Sequence, residues 1–354
     1  MPWKKYNLFL VIFPILIFSL GFITLFSVSP EKAKDQFLFL IVGIVLFIPM
    51  SLVGHHIFPR VWKYLYFGNI LLLFLTYVSG KTTLGSARWL TVAGVTLQPS
   101  EFMKLTLIIG LSCLIAERPK RIKTFRGVTT LFGYFLPAFI AVLIQPDLGT
   151  SVVLAIIFVG ILLFAGLNYQ LFLVSLGLLG IFSSPVWNLL KDYQKNRILV
   201  FLNPQLDKLG AGYNVVQSLI AVGSGGLMGK GFGRGSQSHL EFLPAYWTDF
   251  ILASFAEEWG FIGLTVFILL FSAFLISLLF VVRKAGDFLG ALLTFGIFLA
   301  IFSQFFIGTG INLGIMPVTG IPLPFMTYGG SSLITTILML GLAQGVWIQT
   351  NNEH

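Results

Sequence analysis

Residues 8–28 read LFLVIFPILIFSLGFITLFSV, and this stretch contains no charged residue. A helix of about 20 apolar residues spans the hydrocarbon core of a bilayer. The run is longer than the apolar region of a signal peptide, and no small-residue cleavage pattern follows it. The stretch therefore predicts a first transmembrane helix rather than a cleaved leader.

The composition of the whole chain points the same way. Of its 354 residues, 56% are hydrophobic and 10% are charged, whereas a soluble domain carries about 25% charged residues. Most of the surface must therefore face lipid, and continuous apolar runs favour helices over a transmembrane barrel. The net charge of +9 would suggest nucleic acid as a partner of a soluble protein. We expect no nucleic acid here, because membrane proteins collect Lys and Arg on the cytoplasmic side.

The apolar runs predict an all-α polytopic membrane protein with about ten transmembrane helices in a single domain, residues 1–354. The predicted spans are 8–28, 36–54, 64–78, 101–116, 127–144, two within 148–190, 249–280, 288–307 and 332–347. A turn at 165–169 is expected to divide the charge-free stretch 148–190. Glycines and prolines at 308–331 predict a re-entrant or non-helical segment.

The positive charges of the short loops predict the orientation. With the N-terminus inside, the cytoplasmic segments hold eleven Lys and Arg residues and the short outer loops hold four. Both termini are therefore predicted to be cytoplasmic. The polar loop 79–100, the large extracytoplasmic loop 190–248 between helices 7 and 8, and the segment 308–331 would then share the outer face.

Acidic residues at membrane segments are costly and are therefore candidates for function. Asp249 lies where the large loop enters a helix, and its alternative role is an N-terminal cap or a charge that favours the helix dipole. Glu257 lies about 80° round that helix and about 12 Å along it, so it could share a cavity-facing side with Asp249. Glu258 points away and is expected to meet another helix or a cation.

A glycine-rich stretch, residues 223–235 (GSGGLMGKGFGRG), precedes Asp249. Repeated glycines let backbone amides approach an anion, and Lys230 and Arg234 add positive charge. The stretch is not a Walker phosphate loop, since the required G-x-x-x-x-G-K-[ST] pattern is missing. Its alternative interpretation is a flexible loop.

Three further clusters are predicted on the outer face. They are Arg88-Trp89 with 98–104 (QPSEFMK), 145–150 (QPDLGT), and 317–332 (PVTGIPLPFMTYGGSS). Glu101 and Lys104 could simply pair at one-turn spacing, and Asp147 could cap a helix. Non-helical backbone at membrane depth is tolerated only where it is buried or lines a cavity, so the third cluster indicates a site.

These motifs resemble those of the SEDS family (shape, elongation, division and sporulation proteins). Four further matches are Gly212-Tyr213-Asn214, Gln217-Ser218, Thr248-Asp249-Phe250 and Ala256-Glu257-Glu258. The Val318-Thr319-Gly320-Ile321-Pro322 version resembles its rod-shape-determining RodA branch. The resemblance covers most of the chain, in family order. This sequence departs from the family pattern at Trp247, where His is common before Thr-Asp, and at Ala245, where an acid is common.

The resemblance implies a peptidoglycan glycosyltransferase that polymerises lipid II at the outer face of the bacterial cytoplasmic membrane. It implies as partners a class B penicillin-binding protein (the transpeptidase), other elongation-complex membrane proteins and membrane lipids. The family's essential aspartate falls on Asp249, the expected general base. The expected substrate-binding residues are Arg88, Trp89, Glu101, Lys104, Asp147, Arg197, Gln217, Lys230, Arg234, Glu257, Thr319, Pro322 and Ser331.

Two points stay open at the level of sequence. A divalent cation, Mg²⁺ or Mn²⁺, could help to neutralise a departing pyrophosphate, but no metal ligand is assigned and the four histidines have no recognisable metal spacing. The competing functions are a flippase for a lipid-linked precursor and a non-catalytic scaffold of a cell-wall synthesis complex.

Overall fold

The computed structural model describes residues 6–79, 81–83, 86–92, 95–167, 192–203, 207 and 210–351. The first six helices are α1 (Phe9–Val28), α2 (Pro30–Leu52), α3 (Phe58–Ser79), α4 (Pro99–Glu117), α5 (Phe125–Ile144) and α6 (Leu148–Phe164). The later helices are α7 (Asp192–Leu202), α8 (Ala211–Ser224), α9 (Ser236–His239), α10 (Ile251–Lys284), α11 (Phe288–Asn312) and α12 (Gly330–Thr350). Short 3₁₀ turns at His55–Ile57 and Pro119–Lys123 join α2 to α3 and α4 to α5.

The described residues include eight helices that are long and apolar enough to cross a membrane, and the 17-residue α6 is a shorter apolar helix. Nine of the ten predicted spans therefore have a helix. The remaining predicted span, in the second half of 148–190, lies outside the described residues, as do positions 168 and 169 of the predicted turn. The chain is an all-α polytopic membrane protein, as its composition predicts.

The helices differ in how much of their apolar surface the protein itself covers. In α4, 83% of the most apolar stretch is buried, and in α12 the share is 78%, against 17% in α2. All of these helices are hydrophobic, so hydropathy alone does not distinguish those in the centre from those that face lipid. Of the predicted motifs, 98–104 lies at the start of the buried helix α4, and the end of 317–332 lies at the start of the buried helix α12.

The loops are more ordered than the sequence predicts. The polar loop 79–100 forms a three-stranded antiparallel sheet, β1 (Lys81–Thr83), β2 (Ser86–Val92) and β3 (Val95–Leu97), in the order β1-β2-β3. The large loop 190–248 contains α7, α8 and α9. The predicted break at 308–331 is narrower in the structure, since α11 runs on to Asn312 and α12 begins at Gly330. Tertiary packing outweighs the weak helix propensity of glycine there.

A break in α10 holds the glycine-rich stretch in place. Gly260 has φ 66° and ψ −165°, which separates a short first part of the helix, from Ile251 to Trp259, from a long second part, residues 261–284. Across the break, the Phe261 amide donates to the Gly226 carbonyl at 2.9 Å, and the Lys230 amide donates to the Glu257 carbonyl at 3.0 Å. A Cβ on Gly260 would collide with the Gly229 backbone. The glycine-rich stretch is therefore an ordered strap rather than a flexible loop.

Candidate functional site

Asp147 joins the first two predicted clusters. Its carboxylate accepts hydrogen bonds from Ser100 Oγ at 3.1 Å and Gln98 Nε2 at 3.2 Å, while the Thr150 amide donates at 3.2 Å. Asp147 is 2% exposed and is the N-cap of α6. The helix-cap interpretation is confirmed, and the same carboxylate also holds the start of α4 against the start of α6.

Arg88, on β2, lies against the turn that precedes α6. Its Nε donates to the Gln145 carbonyl at 3.1 Å, its Nη2 donates to the Pro146 carbonyl, and its Nη1 lies 3.9 Å from Asp147 Oδ1. The small sheet thereby fixes a guanidinium at this end of the helix bundle.

The third cluster closes over the other two. The Gln98 amide donates to Ser331 Oγ at 2.9 Å. A Cβ added to Gly149 would lie 2.8 Å from the Thr319 carbonyl oxygen, so the non-helical segment 313–329 passes directly over the start of α6. Motifs that are more than 200 residues apart in the sequence are thus brought to one place.

Asp249 lies beside this assembly, in the turn before α10. The N-cap of α10 is Phe250, and no side chain caps it, so the helix-cap role considered for Asp249 is wrong. The Asp249 side chain is partly buried. A Cβ on Gly320, whose φ is 73°, would lie 3.8 Å from Asp249 Oδ2. The carboxylate therefore faces the backbone of the third cluster, and within the described residues no hydrogen bond to it is formed.

The electrostatic surroundings of Asp249 link it to two of the predicted arginines. Burial raises the pKa of the Asp249 carboxyl above its ordinary value, and the positive charges of Arg197 and Arg88 act in the opposite direction. Both guanidinium groups are therefore near enough to act on this carboxylate. Arg197 reaches the site from α7, inside the large loop.

Asn312 is a residue of this site that sequence reasoning missed. It is 2% exposed, and its Nδ2 donates to the Asp249 carbonyl at 2.8 Å while its Oδ1 accepts from the Ala253 amide at 2.9 Å. The Asn312 carbonyl in turn accepts from Ser218 Oγ at 2.8 Å. One side chain at the end of α11 thus fixes the backbone on which Asp249 is carried.

Replacing Asn312 with Asp is expected to lower kcat about 10- to 100-fold, because an isosteric carboxylate cannot donate to the Asp249 carbonyl and Asp249, the expected general base, loses its position. The measurement is steady-state glycan synthesis by the purified variant. Ser218→Ala is the matched control, since it removes a hydrogen bond to Asn312 but leaves the Asn312 side chain intact. A loss of activity in Ser218→Ala as large as in Asn312→Asp would contradict a positioning role.

Two predicted site residues pair with each other inside α4. Lys104 Nζ donates to Glu101 Oε2 at 2.7 Å, and both side chains are 2% exposed. The pairing considered from their spacing is confirmed. Their charges are neutralised within one helix.

The two acids of α10 hold the glycine-rich strap. Glu257 Oε1 accepts from Lys230 Nζ at 2.6 Å and from the Gln237 amide at 3.1 Å. Glu258 accepts from Ser27 Oγ in α1 and from the Gly233 amide at 3.3 Å. The expectation that Glu258 meets another helix is confirmed. Lys230 is bound to Glu257 rather than open toward Asp249.

The remaining predicted residues lie as follows. Trp89 is partly buried in β2, Gln217 is partly buried in α8, and Arg234 is exposed on the strap. The Pro322 carbonyl accepts a long hydrogen bond from Gln304 Nε2 at 3.4 Å. In the described part of the chain, Thr319 Oγ1 is a buried hydroxyl oxygen without a partner.

A second aromatic and cationic group lies next to Asp249. Lys32 Nζ, at the start of α2, lies 4.6 Å from the ring centroid of Trp247 and 5.2 Å from that of Tyr328. The Tyr328 amide donates to the Trp247 carbonyl at 3.2 Å. The position at which this sequence departs from the family pattern, Trp247, is therefore half of a cation–π pair.

One group of possible metal ligands lies elsewhere. His55, His56 and Asp287 have ligand atoms within 4.8 Å of one another, and His55 Nε2 is 2.7 Å from Asp287 Oδ1. These residues join the α2–α3 and α10–α11 connections, at the opposite ends of α2 and α10 from Lys32 and Asp249. They are therefore not part of the site around Asp249.

Comparison with known proteins decides the family. The model of the FtsW/RodA/SpoVE family, described as a cell cycle protein, matches residues 5–352. The chain belongs to this family. It is 36% identical over 314 residues to the peptidoglycan glycosyltransferase MrdB of Escherichia coli K12, covering 88% of this chain and 84% of that protein. It is 37% identical over 355 residues to stage V sporulation protein E of Bacillus subtilis, covering 96% of each.

Solved structures show that this FtsW/RodA/SpoVE protein shares its whole fold with known members. A chain of a peptidoglycan synthase complex that coordinates polymerization and crosslinking matches with a TM-score of 0.84 and 28% identity, covering 98% of both chains. The crystal structure of the rod shape determining protein RodA of Thermus thermophilus matches with a TM-score of 0.72 and 27% identity, also covering 98% of both.

Proposed function

We propose that this protein is a peptidoglycan glycosyltransferase that polymerises lipid II into glycan strands during cell elongation. The observation that carries the proposal is the Asp249 carboxylate. It faces the non-helical segment at Gly320, and the positive charges of Arg197 and Arg88 lower its pKa, which burial raises. Within the described residues it accepts no hydrogen bond. A partly buried acid with a raised pKa and no hydrogen-bond partner is suited to proton transfer.

The reaction follows from these groups. Asp249 takes the proton from the acceptor sugar hydroxyl as that oxygen attacks the anomeric carbon of the donor, and polyprenyl pyrophosphate leaves. Arg88 and Arg197 stabilise the negative charge that develops on the departing pyrophosphate. Asn312 keeps the Asp249 backbone in place. A single displacement of this kind inverts the anomeric carbon.

A divalent cation fits the same site. Mg²⁺ is commonly bound by one or two carboxylates together with substrate phosphates. Among the acids in the described residues, Asp249 is acted on by the charges of Arg88 and Arg197 and accepts no hydrogen bond, so it would contribute the oxygen ligand. Such an ion would neutralise pyrophosphate charge beside the two arginines.

Location and partners follow from the same proposal. Asp249 and its neighbours would face the extracytoplasmic side of the bacterial cytoplasmic membrane, with both chain termini in the cytoplasm, as the loop charges indicate. The similarity to a chain of a peptidoglycan synthase complex supports a class B penicillin-binding protein as partner, with other elongation-complex membrane proteins around it.

The deciding experiment is lipid II polymerisation by the purified protein in detergent, with and without the transpeptidase partner. Glycan formed by the protein supports the enzyme. A flippase or a scaffold produces no glycan under these conditions, so no product in either case would overturn the proposal. The anomeric configuration of the product tests the single displacement.

Arg88 variants are expected to change both binding and pH dependence. Removing its charge in Arg88→Gln should raise KM for lipid II about tenfold, as loss of one charged hydrogen bond predicts. Because Arg88 lowers the pKa of Asp249, its loss raises that pKa further. Activity requires the deprotonated acid, so the acidic limb of the pH–rate profile should move to higher pH.

Arg88→Lys is the control, since it retains the charge while losing the two-pronged contact with the Gln145 and Pro146 carbonyls. The acidic limb of Arg88→Lys should stay near that of the unaltered protein. Coincident pH profiles for Arg88→Gln and the unaltered protein would show that Arg88 does not act on the base.

A further inference from the structure

A long apolar groove lies between α1 and α2. Its volume is about 1000 Å³, and it is lined by eighteen residues from α1 and the chain just before it, α2, the segment around Phe325 and α12. Sixteen of these residues are apolar. The other two, Tyr6 and Ser19, already form hydrogen bonds, with Ser51 Oγ and with the Ile15 carbonyl. The groove therefore offers no free polar group and fits an apolar occupant.

The shape of the groove suits a chain that lies along the membrane normal. On α1 its lining runs from Leu10 to Ile23, and on α2 from Phe37 to Leu52. At 1.5 Å per residue these lengths are about 20 Å and about 22 Å, which is most of a hydrocarbon core of about 30 Å.

The groove leads to the site around Asp249. Its lining includes Phe325, in the non-helical segment that faces Asp249 at Gly320. At the same end, Gln36 of α2 bonds to that segment: its Nε2 donates to the Thr327 carbonyl at 3.1 Å and its Oε1 accepts from the Gly329 amide at 3.0 Å.

A cation lies at this end of the groove. Lys32 is five residues before Phe37, about 7.5 Å further along α2. Its ammonium lies over the Trp247 and Tyr328 rings, and among the described residues no carboxylate lies within ion-pairing distance of it. An apolar channel with a positive group at its mouth matches a lipid with an anionic head.

From these observations we infer that the α1–α2 groove binds the polyprenyl chain of the acceptor substrate, with its pyrophosphate at Lys32. This inference rests on the proposed function.

The position of Lys32 favours the acceptor over the donor. The donor pyrophosphate is bonded to the carbon under attack and must lie beside Asp249, Arg88 and Arg197. Trp247 is two residues from Asp249, at most about 7 Å in an extended chain, and Lys32 Nζ is 4.6 Å from its ring centroid. Lys32 is thus near Asp249 but separated from it by Trp247. This separation between Lys32 and Asp249 suits an acceptor, because a disaccharide lies between the pyrophosphate of the acceptor and its reacting hydroxyl.

The test places a bulky tryptophan side chain in the groove and, as a control, on the adjacent lipid-facing surface, and compares the KM values of the two variants. Ile44 lines the groove, whereas its neighbour Val45 is 62% exposed and does not. Ile44→Trp is expected to raise KM for lipid II with a full-length chain about tenfold, and Val45→Trp should leave it unchanged. With a lipid II analogue that carries a short isoprenoid chain, Ile44→Trp and the unaltered protein should give the same KM.

The head-group part of the inference is tested by charge removal. Lys32→Gln is expected to raise KM with both the long-chain and the short-chain substrate, whereas Lys34→Gln, two residues along the same turn and exposed, should change neither. Equal KM values for Lys32→Gln and Lys34→Gln would overturn the assignment of the pyrophosphate to Lys32.

Photolabelling separates this inference from the proposed function, because it requires no turnover. A photoreactive polyprenyl pyrophosphate should label groove residues in the unaltered protein and in Asp249→Asn, and Ile44→Trp should abolish the labelling. Labelling that excess phospholipid removes would show a groove for bulk lipid. Loss of transpeptidase binding in Ile44→Trp, with KM unchanged, would show a protein interface. Either result overturns the inference and leaves the role of Asp249 intact.

Discussion

Asp249→Asn is expected to abolish glycan polymerisation, with a loss of at least 10²- to 10⁴-fold, the usual contribution of a general base. The amide has the same shape as the carboxylate but cannot accept the proton of the attacking hydroxyl. Initial rates of lipid II polymerisation by the purified variant, at saturating substrate, give the measurement.

The fold should survive this replacement. The contact that Asp249 makes with Asn312 uses its backbone carbonyl, which the variant keeps. Since burial raises the pKa of the Asp249 carboxyl, the charged form disfavours the folded state above the ordinary pKa. The neutral Asn variant should therefore unfold at the same or a slightly higher temperature at neutral pH.

Glu241→Gln is the matched control, because Glu241 is an exposed acid eight residues before Asp249. Its activity should equal that of the unaltered protein. Polymer made by Asp249→Asn at a normal rate would remove the general-base assignment and the displacement that depends on it.

Lys104→Met is expected to cause the largest loss of stability, about 3–5 kcal/mol, because it leaves the Glu101 carboxylate buried and without its partner. Both side chains are 2% exposed in the centre of the bundle. The measurement is the free energy, or the midpoint, of unfolding in detergent.

The double variant Glu101→Gln/Lys104→Met separates pairing from substrate binding. Removing both charges together should restore most of the lost stability, since no buried charge remains. If either side chain binds lipid II, the double variant should have a raised KM for lipid II even though its stability is restored. A double variant as unstable as Lys104→Met would show that the pair is not the source of the loss.

Hydropathy predicts the membrane helices of this protein well because the lipid core requires long apolar runs with all backbone groups bonded internally. The Lys81–Leu97 sheet was not predicted, since its short polar strands carry no clear alternation. Helix α8 did carry a signal: Val215, Leu219 and Val222 follow helical spacing, but they lie within a loop that is glycine-rich and polar overall.

The site was predicted in part. Asp249 and Arg88 stand out because charged residues are rare at membrane segments, and motif resemblance added their roles. Asn312 gave no such signal, because a polar residue in the last turn of a helix, two positions before a glycine, is an ordinary helix end. Its importance comes from contacts with residues 59 and 63 positions away in the sequence. Such hydrogen bonds depend on how the helices pack against each other, and the periodicity of the sequence does not predict that packing.

The break at Gly260 has a mechanical consequence for the membrane-embedded enzyme. The segment from Ile251 to Gly260 is held at its start by Asn312 and at its end by the strap. The strap also bonds to the other side of the break, where the Gly226 and Leu227 carbonyls accept from the Phe261 and Ile262 amides. Because one strap is bonded to both sides of the break, we expect the carboxylate to keep its place when the rest of α10 adjusts to a change in bilayer thickness. Turnover should therefore vary little between thin and thick bilayers.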